Sequence, residues 1–116
     1  MEARMIVELA LTAALLTEPR VDWHEHSLKA YVRGEVSRAG WGNGQWSCLE
    51  TLIHHESRWN HKAQNPTSGA AGLFQRIDGK PSDSVRNQVQ WGLGYVKHRY
   101  ETPCEALRFF RTNNWY

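Results

Sequence analysis

Glu56, in the middle of the chain, occupies a position at which a carboxyl group could act as a proton donor. Glu56 follows Leu49, Leu52 and Ile53 at the spacing that forms one apolar face of a helix. A carboxyl group on such a face loses hydration, so its pKa rises and it can hold and deliver a proton near neutral pH. The spacing therefore predicts a general acid at Glu56. The alternative is an exposed glutamate at the helix end, paired with a basic neighbour such as Arg58.

The elements that must position Glu56 are predicted to be helices. Ser47 and Glu50 have the spacing of a capping box, so the helix that carries Glu56 is expected to begin near Cys48. Further helical patterns cover residues 27–38, with Ser27 as the cap, residues 84–100, and the segment that follows Thr102 and Pro103.

The residues after Glu56 have the composition of a ligand-binding loop. The run at 65–69, NPTSG, ends the helix and reverses the chain, and the small residues at 70–72 let the backbone approach a ligand closely. Gln75 carries two donors and an acceptor on one amide, which suits a sugar hydroxyl or an acetamido group. An ordinary surface amide is the alternative. Together these features predict the lip of a cleft.

Several strings around these residues resemble a known family. They are E-S-x-W-N at 56–60, A-x-N-P at 63–66 and S-G-A-x-G-L-x-Q at 68–75, and their combination resembles the lytic transglycosylase domain related to goose-type lysozyme. The later strings are similar to the branch of that family found in actinobacteria and their phages, and they are W-G-L-x-Y at 91–95, R-Y-x-T-P-C at 99–104 and N-W-Y at 114–116. The resemblance implies a phage lysin, a tail-associated module or a secreted bacterial enzyme that acts in the cell wall outside the cytoplasm.

The resemblance implies an activity that one carboxylate can perform. In that family a glutamate protonates the bond between N-acetylmuramic acid and N-acetylglucosamine, while the muramyl acetamido oxygen stabilises the electron-poor carbon. The same glutamate then takes the proton of the muramyl C6 hydroxyl, which closes a 1,6-anhydro ring. Glu56 matches this glutamate. Neither a cofactor nor a metal ion is expected, and the implied partner is the glycan strand of peptidoglycan.

The resemblance also implies sugar-binding residues, which are Asn65, Ser68, the backbone at Leu73, Phe74 and Gln75. Tyr95 lies one position off the apolar stripe of the helix at 84–100 and is expected to face the cleft. Many family members carry A-Y-N-A-G where this chain has residues 109–113, FFRTN. That departure removes a tyrosine often placed near the reacting sugar.

Three other functions compete with this interpretation. A hydrolytic muramidase would add water, and Asp78 stands near the place where goose-type lysozymes have an aspartate that could position it. A wall-binding module without catalysis would not need a raised pKa at Glu56. A nucleic-acid-binding domain is not favoured, because the net charge is only +2 and no helix has a basic face.

Two cysteines and six histidines allow a disulfide but not an obvious metal site. Cys48 and Cys104 are expected to form a bridge between two helix starts, supported by the similar placement of cysteines in the resembling branch, and such a bridge requires an oxidising compartment. His54 and His55 are adjacent, so their side chains point about 100 degrees apart on a helix and cannot easily share one ion. No metal ligand is therefore predicted.

The expected fold class is mostly α, a small lysozyme-like helical domain with a substrate cleft. Residues 1–26 are expected to form an N-terminal helix and linker, and residues 27–116 the transglycosylase domain, in a chain of 116 residues that is compact and monomeric. The stretch before Pro19 is too short and too charged to span a membrane, and it is a poor signal peptide.

Overall fold

The computed structural model describes residues 22–116, and the expected N-terminal helix lies outside this range. Within the range the chain forms four α-helices and no strand beyond isolated bridges. They are α1 (Glu25–Arg38), α2 (Asn43–Ser57), α3 (Val85–Tyr100) and α4 (Pro103–Asn113). The prediction of a small, mostly helical, lysozyme-like domain is confirmed.

Helix α1 begins two residues earlier than its predicted cap. His24 is the N-cap, and its backbone N–H donates to the Ser27 hydroxyl oxygen at 3.0 Å. The Ser27 hydroxyl in turn donates to the His24 carbonyl oxygen at 2.9 Å. Ser27 thus closes the first turn from inside the helix, and α1 buries Leu28, Val32 and Val36.

The predicted start of α2 at Cys48 is wrong by five residues. Gly42 is the N-cap, and its carbonyl oxygen accepts the first helical hydrogen bond from Trp46 at 3.0 Å. Glu50 does not reach back to cap the helix. Its carboxylate lies 3.4 Å from the Lys29 ammonium on α1. Glu50, which was predicted to cap α2, thus forms a salt bridge between α1 and α2.

Helix α4 begins where its cap predicts, and α3 begins one residue after Ser84, which was expected to be its first residue. The Ser84 hydroxyl accepts from the Asn87 backbone N–H at 3.1 Å, and the Thr102 hydroxyl accepts from the Glu105 backbone N–H at 3.3 Å. Pro103 occupies the first turn of α4, where its missing N–H costs nothing. The Glu105 carboxylate pairs with Arg108 and does not complete the capping box.

Helix α2 contributes its apolar face to the core. It packs against α1 and α4, and α3 also packs against both of these helices. Leu49, Leu52 and Ile53 of α2 are fully buried, as the apolar spacing predicts. The expected disulfide joins Cys48 of α2 to Cys104 of α4, with the two Cα atoms 4.9 Å apart. The inward face of α2 is thereby fixed, and its last turn carries Glu56.

Candidate active site

Glu56 lies in the last turn of α2, one residue before the helix ends. Two residues with positive φ follow, Arg58 at 52° and Trp59 at 64°, and they turn the chain sharply away from the helix axis. Glu56 stays half-buried at this corner, and burial raises its pKa from 4.5 to about 7. The carboxyl group therefore holds a proton in a large fraction of molecules at neutral pH.

A cleft of about 640 Å³ opens over Glu56. It runs between the end of α2, the loop that leads to α3, α3 itself and the C-terminal segment. Of the residues named from the sequence, those that line it with Glu56 are Asn65, Ser68, Phe74, Gln75, Asp78 and Tyr95. The structure thus brings together in one cavity residues that span forty positions of the chain.

Asn65 shapes the cleft lip through its own turn. Its side-chain oxygen accepts from the backbone N–H of Thr67 at 2.8 Å and of Ser68 at 3.1 Å, and its backbone N–H donates to the Ala70 carbonyl oxygen at 2.8 Å. The Ser68 hydroxyl oxygen accepts from the Ala70 backbone N–H at 3.2 Å. The Asn65 amide nitrogen is the part of this side chain left to meet a sugar.

Gln75 holds the loop as well as facing the cleft. Its amide nitrogen donates to the Gly72 carbonyl oxygen at 2.9 Å and to that of Ala63 at 3.4 Å. The residue has a φ of 51°, a backbone conformation that these bonds help to maintain. Its amide oxygen is left as an acceptor, so a ligand hydroxyl or N–H would donate to it.

Leu73 belongs to the core and not to the cleft. Its side chain is fully buried, and its backbone N–H donates to the Gln88 side-chain oxygen at 2.8 Å. Gln88 also donates to the carbonyl oxygens of His61 and Asp83, at 2.9 Å each, so one buried amide pins the loop to α3. The Leu73 N–H is thus not free to bind a sugar, and the expected sugar contact through the backbone around Leu73 stays a prediction.

Asp78 has an environment opposite to that of Glu56. It is exposed, and its two carboxylate oxygens accept from the Arg76 guanidinium at 2.6 and 3.1 Å. These hydrogen bonds lower the pKa of Asp78, so the group is ionised at neutral pH. The cleft therefore contains one carboxyl group that is partly protonated at neutral pH and one that is ionised.

Tyr116 lines the cleft but was not among the site residues predicted from the sequence. Its hydroxyl donates to the Phe74 carbonyl oxygen at 2.7 Å, which fastens the C-terminal segment to the wall of the cleft. Burial raises the pKa of Tyr116 well above its usual value, and the nearby charge of Glu56 raises it further. The phenol therefore stays protonated and helps to shield Glu56 from water.

Aromatic rings form much of the remaining wall. Trp91 and Tyr95 stack with their centroids 5.0 Å apart, and Tyr116 meets Tyr95 edge-on at 5.5 Å. On the other side His55 stacks on Phe110 at 5.2 Å. Exposed ring faces of this kind suit the apolar faces of sugars.

The comparison with protein families decides what kind of cleft this is. Residues 28–108 match the family described as Transglycosylase SLT domain, and this range covers more than half of the chain. The chain belongs to the transglycosylase SLT domain family. It is accordingly a lysozyme-like enzyme domain directed at peptidoglycan, a substrate of the extracytoplasmic cell wall. No curated protein and no solved structure gives a significant match to the chain.

Part of the cleft of this SLT domain lies beyond the matched range. Phe110, Asn114, Trp115 and Tyr116 all line the cavity and all follow residue 108. The similarity of the N-W-Y tail to actinobacterial and phage members stays a prediction. Three residues of this tail, Asn114, Trp115 and Tyr116, line the cleft.

Residues 22–116 contain neither a cluster of metal ligands nor a membrane-spanning helix. No three histidine, cysteine or carboxylate side chains in this range lie close enough together to hold a metal ion. The His54 and His55 rings lie 6.1 Å apart and nearly perpendicular, so the adjacent pair does not converge. None of the helices described is long and apolar enough to cross a membrane.

Proposed function

We propose that the domain is a lytic transglycosylase that cleaves the bond between N-acetylmuramic acid and N-acetylglucosamine, with Glu56 as its acid and base. The supporting observation is the half-buried Glu56 in a ring-lined cleft, where burial raises its pKa to about 7. A wall-binding module has no use for such a group, whereas a general acid requires it.

The first step of the proposed reaction uses the proton of Glu56. It passes to the glycosidic oxygen as the bond to the muramyl C1 breaks, so N-acetylglucosamine leaves as an alcohol. The muramyl acetamido oxygen stabilises the cationic character that develops at C1, as in substrate-assisted glycosidases. Glu56 is left as a carboxylate.

The second step returns Glu56 to its starting state. Its carboxylate takes the proton of the muramyl C6 hydroxyl while that oxygen bonds to C1, closing a 1,6-anhydro ring. Atoms and charges balance with no water consumed. One carboxyl group with a pKa near neutrality can serve both steps. It is a strong enough acid to donate a proton in the first step, and its carboxylate is a strong enough base to accept one in the second.

The surrounding groups fit the binding part of this proposal. Gln75 offers an acceptor and Asn65 a donor at the lip of the cleft, while Phe74 and Tyr95 provide apolar walls. The amide and hydroxyl groups of two acetylated sugars need this mixture of partners. These residues are proposed to hold the sugars on either side of the bond that is cleaved.

A hydrolytic muramidase is the second candidate, because Asp78 lines the same cleft as an ionised carboxylate. In that reaction Asp78 would orient a water molecule for attack at C1. Arg76 donates hydrogen bonds to both carboxylate oxygens of Asp78. These bonds leave the Asp78 carboxylate poorly suited to take a proton from water. The transglycosylase reaction needs no such group.

Two substitutions separate these candidates. Glu56→Gln keeps the shape and removes the proton, and we expect the rate of peptidoglycan cleavage to fall by about 100-fold or more. Asp78→Asn should leave most of the rate. Loss of activity in Asp78→Asn comparable to that in Glu56→Gln would favour the muramidase, and full activity in Glu56→Gln would refute the role of Glu56.

A further inference from the structure

Arg99 is a cation of the cleft that the proposed reaction does not use. It lies on α3, is exposed, and is the one Arg or Lys among the described residues that line the cavity. Among the described residues it forms no salt bridge, whereas Arg76, Arg38 and Arg108 each pair with a carboxylate. A positive charge therefore faces the substrate space without an internal counter-ion from residues 22–116.

Aromatic rings hold the Arg99 guanidinium in place. Its central carbon lies 5.1 Å from the ring centroid of Trp115, 5.4 Å from Tyr100, 5.7 Å from Phe109 and 5.9 Å from Tyr95. Ring faces attract the cation electrostatically and restrict its rotation, so the group is preorganised. Such contacts leave the charge itself uncompensated.

Most of the donors of Arg99 are available to a ligand. A guanidinium has five N–H groups, and among the described residues one hydrogen bond is made, to the Tyr95 hydroxyl oxygen at 2.8 Å. The edge that remains has the planar fork that binds a carboxylate through two parallel hydrogen bonds. The environment is also favourable, because the raised pKa of Glu56, about 7, leaves part of this group uncharged at neutral pH, and Asp78 is already paired with Arg76.

We propose that Arg99 binds a carboxylate carried by the peptidoglycan substrate. The inference rests on the proposed function, since it assumes that a glycan strand occupies the cleft. Peptidoglycan offers carboxylates of two origins: those of the peptide stem, and the lactyl carboxylate that is freed when the stem has been removed. Chitin-type oligosaccharides carry neither. Arg99 thus makes the cleft selective for the acidic, muramyl-containing polymer over a neutral polymer of N-acetylglucosamine.

The test is a binding measurement in the Glu56→Gln background, where no cleavage interferes. Three probes are titrated by calorimetry: soluble glycan strands with peptide stems, the same strands after an amidase has removed the stems, and a neutral N-acetylglucosamine oligomer. Adding Arg99→Gln should weaken binding of a carboxylate-bearing probe about tenfold or more and leave the neutral oligomer nearly unchanged. The probe that loses affinity identifies the origin of the carboxylate.

Two further variants serve as controls. Arg86→Gln removes an exposed arginine from the same helix, outside the cleft, and should change none of the three affinities. Arg99→Lys keeps the charge without the planar fork, so its affinity for the carboxylate-bearing probe should lie between those of the parent and Arg99→Gln. Equal losses on all three probes, or no loss on either acidic probe, would overturn the proposal.

A salt titration covers the case in which Arg99→Gln fails to fold. With Arg99 intact, binding of the acidic probe should weaken as salt is added, and binding of the neutral oligomer should not. Salt-independent binding of both would overturn the inference. Cleavage by the unsubstituted protein is measured separately, so failure of the proposed function and failure of carboxylate recognition give different results.

Discussion

Glu56 and Asp78 show how the surroundings of a side chain decide its chemistry. Both carboxyl groups line one cleft, yet burial raises the pKa of Glu56 to about 7 while the Arg76 guanidinium lowers that of Asp78. The difference has distinct causes, desolvation in one case and hydrogen bonding in the other. Two groups of the same type are thereby prepared for different tasks.

The raised pKa of Glu56 predicts the pH dependence of cleavage. The first step requires the protonated form, whose fraction falls as the pH rises through about 7. We therefore expect the initial rate of clearing of a peptidoglycan suspension to decline on the alkaline side of neutrality. A decline centred near pH 4.5, the ordinary value for a glutamate, would show that burial does not control this group.

Tyr116 provides a second prediction at the level of one residue. Tyr116→Ala would open Glu56 to water, so its pKa should fall towards 4.5 and the alkaline decline of the rate should move to lower pH. Tyr116→Phe keeps the ring and loses only the hydrogen bond to the Phe74 carbonyl oxygen. Its pH profile should stay in place, with a loss of stability of about 1 kcal/mol in denaturant titration. If the pH profile of the rate moves equally in both variants, the raised pKa of Glu56 depends on the Tyr116 hydroxyl and not on the ring.

At the level of secondary structure, Gly92 allows α3 to approach the cleft wall. A Cβ at this position would lie 2.3 Å from the Phe74 ring, which lines the cavity. Gly92→Ala should therefore displace that ring and destabilise the fold by about 1 to 3 kcal/mol, with a loss of activity.

Gly94 is the matched control, two residues further along the same helix. A Cβ there meets no atom within 4 Å. Gly94→Ala should stabilise α3 by up to about 1 kcal/mol, because alanine is the better helix former. Urea denaturation of both variants measures the difference, and equal effects would contradict the proposed packing role of Gly92.

The four helices could be predicted from their apolar spacing, whereas a helix start could be predicted only where a single side chain decided it. Thr102 caps α4 as expected, because its hydroxyl accepts from a backbone N–H three residues ahead. Ser84 was expected to be the first residue of α3, and its hydroxyl caps that helix in the same way. The start of α2 could not be predicted from Ser47, since an earlier glycine cap and a contact between Glu50 and another helix override the local pattern. The positive φ of Arg58 and Trp59 likewise has no local signal.

At the level of the whole molecule, the cleft depends on contacts between distant parts of the chain. Tyr116 reaches back to Phe74, and Gln88 reaches back to Leu73 and His61. Periodicity placed Glu56 on an inward face, but no periodicity describes such tertiary contacts. For this reason the inward position of Glu56 was predictable, whereas the places of Tyr116 and Arg99 in the cleft wall and the use of the Leu73 backbone N–H by Gln88 were not.

The disulfide between α2 and α4 is expected to make a large contribution to the stability of the fold. Cys48 and Cys104 are separated by 56 positions and join α2 to α4, the pair of helices with the most extensive contact in the described range. Replacing both by serine should lower the free energy of unfolding by about 4 kcal/mol, the chain-entropy value for a loop of this length. Denaturant titration of the variant and of the parent protein measures this difference in the free energy of unfolding. A difference below about 1 kcal/mol would mean that native packing alone holds α2 and α4 together.

The most direct test of the central claim is mass spectrometry of the muropeptides released from purified peptidoglycan. If Glu56 acts as both acid and base, the products carry 1,6-anhydro-muramic acid ends and disappear in Glu56→Gln. Each such end is lighter than a hydrolysed one by the mass of one water, so the two outcomes are resolved in a single spectrum. Reducing-end muramic acid would contradict the account and transfer the second catalytic role to a water-activating group such as Asp78.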